Sequence, residues 1–174
     1  DVSVITNISY AHVKNFKSIS QIALAKAEII NNTKNNGFII LNADDNFFNM
    51  HKKIAIKKNL KILSFGIRNK NSNIKLINIK KEAKKYKATI KVNNIKTYFS
   101  LKNDFQNNIL NILSALTVMS IYLDISKIDK NIFYNFKTPD GRGDISKIRH
   151  KSKLLNLIDE SYNSNPLSLK SAIL

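Results

Sequence analysis

Cysteine is absent from the 174-residue chain. Neither a disulfide framework nor a thiolate metal site can form, and the absence fits a reducing compartment. Glycine and proline are scarce, at four and two residues. None of those glycines builds a G-x-x-x-x-G-K-S/T phosphate loop. No apolar run approaches the roughly 18 residues that a membrane-spanning helix requires. The opening "DVSVITNIS" has neither an initiator methionine nor the basic n-region of a signal peptide. It reads as the interior of a strand, and we expect a piece of a longer polypeptide.

Acids are also few: 12 Asp and Glu stand against 29 Lys and Arg, a formal net charge of +17. Such a balance points first to polyanionic partners. The pattern argues otherwise. Lysine, asparagine and isoleucine are enriched in every segment, as an AT-rich genome leaves them, and form no localised stripe. The densest basic stretch, "IKKEAKKYKATIKVNNIK" (79–96), alternates like a surface hairpin whose lysines are solvated. Hydrophobic residues at 43% and charged residues at 24% describe one soluble domain with a real core.

The first third alternates between two periodicities. "VSVITNI" (2–8), "GFIILN" (37–42) and "KILSFG" (61–66) are short β-branched or apolar runs, which read as strands. Between them, "SISQIALAKAEIINNT" is helical in spacing, with Ser18 or Ser20 as its cap, and "NFFNMHKKIAIKKN" (46–59) is a second helix. Strand-helix-strand-helix-strand predicts an α/β fold, a mostly parallel sheet flanked by helices. Residues 73–101 read as a small antiparallel β-meander, 103–124 as a helix and 125–136 as a further short helix. "TPDGRGD" (138–144) is a turn-rich loop. "KLLNLIDES" is a buried strand of the sheet, and 165–174 starts a helix with Pro166 in its first turn.

In such a sheet a ligand sits beyond the carboxyl ends of the strands. The segments there are "NISYAH", "NADD" and "DESYNSNP", all rich in Asn, Asp or His. Read from the residues alone, His12 is a capped histidine at a strand end, Lys26 an ordinary helix lysine, Asn108 and Asn111 helix caps, and Arg142 part of a glycine-rich turn.

"ITNISYAHVKNFKSISQIALAKAEII", "GFIILNADD", "FQNNILNILSAL", "GRGD" and "LIDESYNSNPLSLKSAI" follow one another as in the Mur ligases, which the chain resembles over nearly its whole length. The resemblance is to the family's central, ATP-binding, P-loop NTPase-like domain. It implies that residues 1–174 are that domain, with the phosphate loop, the amino-terminal UDP-binding domain and the carboxyl-terminal domain lying outside them.

The resemblance implies ATP and Mg2+ as cofactors, and ATP-dependent amide formation through an acyl phosphate. The small-molecule substrates implied are UDP-N-acetylmuramoyl-tripeptide and D-alanyl-D-alanine, used by a monomer in the bacterial cytoplasm, with no nucleic acid and no membrane span. His12 and Lys26, the latter as a carbamate, match metal-holding residues. Arg142 matches an arginine that reaches the nucleotide phosphates. Asn108 and Asn111 match an adenine-contacting helix start, although Phe105 and Asn107 stand where the family has glycine and histidine. Asp159 and Glu160 match an acidic pair that bonds the ribose, with Glu160 in place of the usual aspartate. Tyr162, Asn163 and Asn165 complete a substrate-positioning signature. Asn42 and Asp44 match a strand-end motif with a structural role. The alternatives are a sibling ligase, including a folylpolyglutamate synthase-like one, and a non-catalytic basic domain that binds nucleic acid.

Overall fold

A computed structural model describes residues 1–9, 16–104, 106–136, 141, 144–159 and 161. The first strand, β1 (Val2–Ile5), leads to α1 (Ile19–Asn32), β2 (Phe38–Asn42), α2 (Phe48–Lys57) and β3 (Lys61–Gly66). These strands pair in parallel, β1 to β2 and β2 to β3, as the alternating periodicity predicts. Ser18 is the cap of α1: its hydroxyl accepts from the Gln21 amide at 3.3 Å, and the Gln21 side chain accepts from the Lys17 amide at 2.7 Å. This reciprocal pair resembles a capping box shifted by one position. At the other end the Thr33 hydroxyl donates to the Ile29 carbonyl at 2.7 Å.

The meander is β4 (Ile74–Glu82), β5 (Lys85–Val92) and β6 (Ile95–Leu101), antiparallel as expected. It is not a separate unit. β4 pairs in parallel with β3 through Phe65↔Ile74 and Gly66↔Lys75, giving one six-stranded sheet in the order β1-β2-β3-β4-β5-β6. A parallel neighbour normally needs a long crossover. Here the short 67–73 loop suffices, because β4 starts level with the end of β3 and runs onward from it. The meander therefore extends beyond the carboxyl ends of the parallel strands.

Strand alternation divides the core into two. Ile40, Phe65, Ile74, Ala88, Ile90 and Phe99 lie on one face under α3 (Gln106–Met119), with Leu113 and Leu116. Ile39 and Leu41 lie on the other face, with Ile22, Ala23, Ile30 and Ala55 of α1 and α2.

Two expectations are corrected. Residues 125–136 form only a 3-10 turn, Ile125–Lys127, followed by further turns. Asp124 accepts from the Ser126 amide and Asp129 from the Asn131 amide, so each aspartate bonds its own backbone two residues on, at the expense of a continuing helix. Lys153–Asp159 is a strand, β8, but not a buried member of the main sheet. It pairs antiparallel with β7 (Asp144–His150) in a two-stranded sheet, and Leu154 is 63% exposed. The strand character of β7 was not anticipated. The expected helix over 165–174 lies outside the described residues.

Candidate functional site

The carboxyl ends of β1, β2 and β3 are tied to one another by side chains of "NADD". Asn42, the last residue of β2, donates from Nδ2 to the Thr6 carbonyl at 2.9 Å and accepts on Oδ1 from the Asp44 amide at 2.9 Å. Asp45 accepts from the Ile8 amide at 2.8 Å and from the Phe47 amide at 2.8 Å, just ahead of α2. Asp44 accepts from the amides of Ile67, Arg68 and Asn69, which fixes the loop between β3 and β4. Gly66 lies beneath that carboxylate. A Cβ there would stand 3.1 Å from Asp44 Oδ1 and 2.9 Å from the Ser72 hydroxyl, so the close approach requires glycine.

The expected structural role of Asn42 and Asp44 is thus visible in their bonds. Asp45 was missed as a site-building residue. Its only sequence signal is a second acid directly after the strand end, ahead of a helix start. Each carboxylate oxygen of Asp44 and Asp45 accepts from at least one backbone amide, so both carboxylates hold the backbone at this end of the sheet. Among the described residues no cluster of three His, Asp or Glu could hold a metal ion.

Lys26 reaches this same end of the sheet. From the exposed side of α1 its ammonium donates to the Asn7 carbonyl at 2.9 Å, just beyond β1. Thr6 and Ile8, either side of Asn7, are the residues held by Asn42 and Asp45, so the backbone that receives Lys26 is fixed on both flanks. Asn108 lies in the first turns of α3, which begins where β6 ends, beyond the carboxyl ends of the parallel strands. Its Nδ2 donates to Asn103 Oδ1 at 3.2 Å. Asn111 is exposed on the same helix, three residues on. Asp159 ends β8 in the two-stranded sheet and accepts from the Ser161 amide at 3.0 Å. Hydrogen bonding from Ser161, side chain first and backbone second, holds its carboxyl below the usual value of 3.8. His12, Arg142, Glu160, Tyr162, Asn163 and Asn165 lie outside the described residues.

A cavity of about 310 Å³ borders this arrangement through Ala43 and Asn69 and extends between α2 and the 69–73 loop, where Phe48, Lys52, Ser64 and Asn73 line it. It contains none of the expected site residues. The strand-end arrangement, with its convergent polar groups, is the better candidate.

Residues 1–119 match the family profile of the Mur ligase middle domain. The chain belongs to the Mur ligase family. A UDP-N-acetylmuramoyl-tripeptide–D-alanyl-D-alanine ligase of Buchnera aphidicola is 32% identical over 176 residues, covering 99% of this Mur ligase chain and 36% of the relative. The chain therefore spans a little over a third of the length of such curated relatives. Among solved structures, MurF of Acinetobacter baumannii superposes with a TM-score of 0.81 at 22% identity, over 98% of this chain and 36% of that one. MurF ligase of Thermotoga maritima in complex with ADP superposes with a TM-score of 0.78 at 23% identity, over 99% and 38%. These likenesses place the parallel sheet, its helices and the small second sheet in the Mur ligase fold.

Proposed function

We propose that this Mur ligase chain is the central, nucleotide-binding domain of a bacterial cytoplasmic enzyme. That enzyme adds D-alanyl-D-alanine to UDP-N-acetylmuramoyl-tripeptide at the expense of ATP. The observation that carries the reading is the Lys26 ammonium at the Asn7 carbonyl, on backbone that Asn42 and Asp45 fix, beyond the carboxyl end of β1. Similarity to a named ligase of that specificity over 99% of the chain supports the choice of substrates.

The chemistry assigned to this chain is mainly positioning and charge neutralisation. The terminal carboxylate of the tripeptide attacks the γ-phosphorus of ATP, an acyl phosphate forms and ADP leaves. The amine of D-alanyl-D-alanine then attacks the acyl carbon, loses a proton and expels phosphate. Bound Mg2+ supplies neutralisation of phosphate charge. His12 and Lys26 are the residues that would hold it, Lys26 as a carbamate formed when its neutral amine adds CO2 and releases a proton to water. Carbamylation turns the cation into an oxygen-bearing anion, the ligand type that magnesium takes. Arg142 is assigned to the phosphates, Asn108 and Asn111 to the adenine edge, and Asp159 and Glu160 to the ribose. Tyr162 and Asn163 are assigned to positioning. An amide suits adenine because it both donates and accepts.

The test is ATP-dependent ligation by the full-length protein with D-alanyl-D-alanine against single amino acids. Turnover with the dipeptide alone supports the proposal. Turnover with L-alanine and none with the dipeptide makes this a sibling ligase.

A further inference from the structure

The cluster beneath α1 and α2 contains no residue of β4, β5 or β6. Ile74, Ala88, Ile90 and Phe99 face the opposite core under α3. By strand alternation their neighbours form the other surface of the meander. Register sets Lys75 directly opposite Lys91, and Lys91 directly opposite Lys96, in one row across three strands. Lys80 stands directly opposite Lys87 on the same face, and Lys85 opposite Glu82. Like charges directly opposite destabilise a sheet. Glu82 is the lone acid among these positions, and it lies 3.7 Å from Lys87. The like-charge pairing is thus built into the register, and an anion at this face would relieve it.

We propose that this face docks the protein on the surface of an anionic phospholipid bilayer. The lysines share one face of the sheet, with the outer strands of the meander about 10 Å apart. Their charge complements acidic headgroups, to which basic residues are drawn within a Debye length. Tyr98 is 42% exposed on this face, and Ile77 is 41% exposed at the bulge in β4. An amphipathic ring and an aliphatic side chain among lysines suit the headgroup layer. Lys87 lies 4.4 Å over the Tyr98 ring, which covers the aromatic face that a nucleic-acid base would stack upon.

The experiment is vesicle co-sedimentation of the full-length protein that carries this chain, using phosphatidylcholine with and without phosphatidylglycerol. We expect binding only to the anionic vesicles, lost in high salt. The Lys91→Gln/Lys96→Gln pair should weaken it roughly thirtyfold, and the charge-reversing Lys91→Glu/Lys96→Glu pair by more, with circular dichroism and ligation turnover unchanged. Lys53→Glu/Lys57→Glu on α2 makes the same change in net charge away from the face and should leave binding intact. Failure to pellet overturns the proposal, as does an equal loss in the α2 variant. Tighter, equally Lys91- and Lys96-dependent binding of a single-stranded oligonucleotide overturns it in favour of nucleic acid.

Discussion

Replacing Asp44 with alanine strips one carboxylate from three backbone donors, the amides of Ile67, Arg68 and Asn69. Hydrogen bonds to a charged group contribute about 1.5–3 kcal/mol each. Arg68 is exposed, and its amide regains water when the acceptor goes. Ile67 and Asn69 are half-buried and recover less. The net loss is therefore about 3 kcal/mol, a large share of the 5–15 kcal/mol typical of a folded domain. Gly66→Ala attacks the same clamp from beneath, since its Cβ would press on Asp44 Oδ1 at 3.1 Å and on the Ser72 hydroxyl at 2.9 Å. Removing the Asp44 side chain relieves the first contact and leaves the second. The two changes should then cost about 1 kcal/mol less together than the sum of their separate costs. Urea unfolding of the two single variants and the double variant measures all three quantities. An Asp44→Ala cost below about 1 kcal/mol, or strict additivity, refutes the clamp.

Ser18→Ala removes the cap of α1 and should cost about 1 kcal/mol in the same unfolding assay. Phe99→Ala removes a fully buried ring that meets Phe133 edge-on at 5.3 Å, and should cost about 3–5 kcal/mol. Asp159, held below 3.8 by Ser161, should titrate below the ordinary aspartate value in an NMR pH series, and Ser161→Ala should move its midpoint upward. Its folded value is depressed, so any stability it contributes is present above about pH 4 and is lost as pH falls through the folded value.

The parallel half of the fold was legible because each element carried its own periodicity and punctuation. Ser18 caps α1, Gly37 precedes β2, and β3 ends at Gly66. The meander's strands were equally plain, but its membership of the main sheet rests on two residue pairs with β3, which no local pattern encodes. β7 escaped notice because residues 146–150 are exposed, with no apolar face to set a period of two. In β8 the apolar run Leu154–Ile158 imitated a buried parallel strand, yet its described partner is β7. The helix expected over 125–136 gave way to aspartates that bond their own turns.

At the site, Lys26 and the asparagines of α3 were named through family resemblance, and the structure brings Lys26 to the strand ends. Asp45 was illegible because the amide it holds, that of Ile8, lies 37 positions away.

The central claim is that Lys26 works chemically at the carboxyl end of β1 rather than merely decorating α1. Steady-state ligation of D-alanyl-D-alanine by full-length Lys26→Arg protein tests it most directly, because arginine keeps the positive charge and cannot form the carbamate. The account predicts a fall in kcat of about a hundredfold or more, with an unfolding midpoint like that of the parent. Parental turnover in that variant would contradict it.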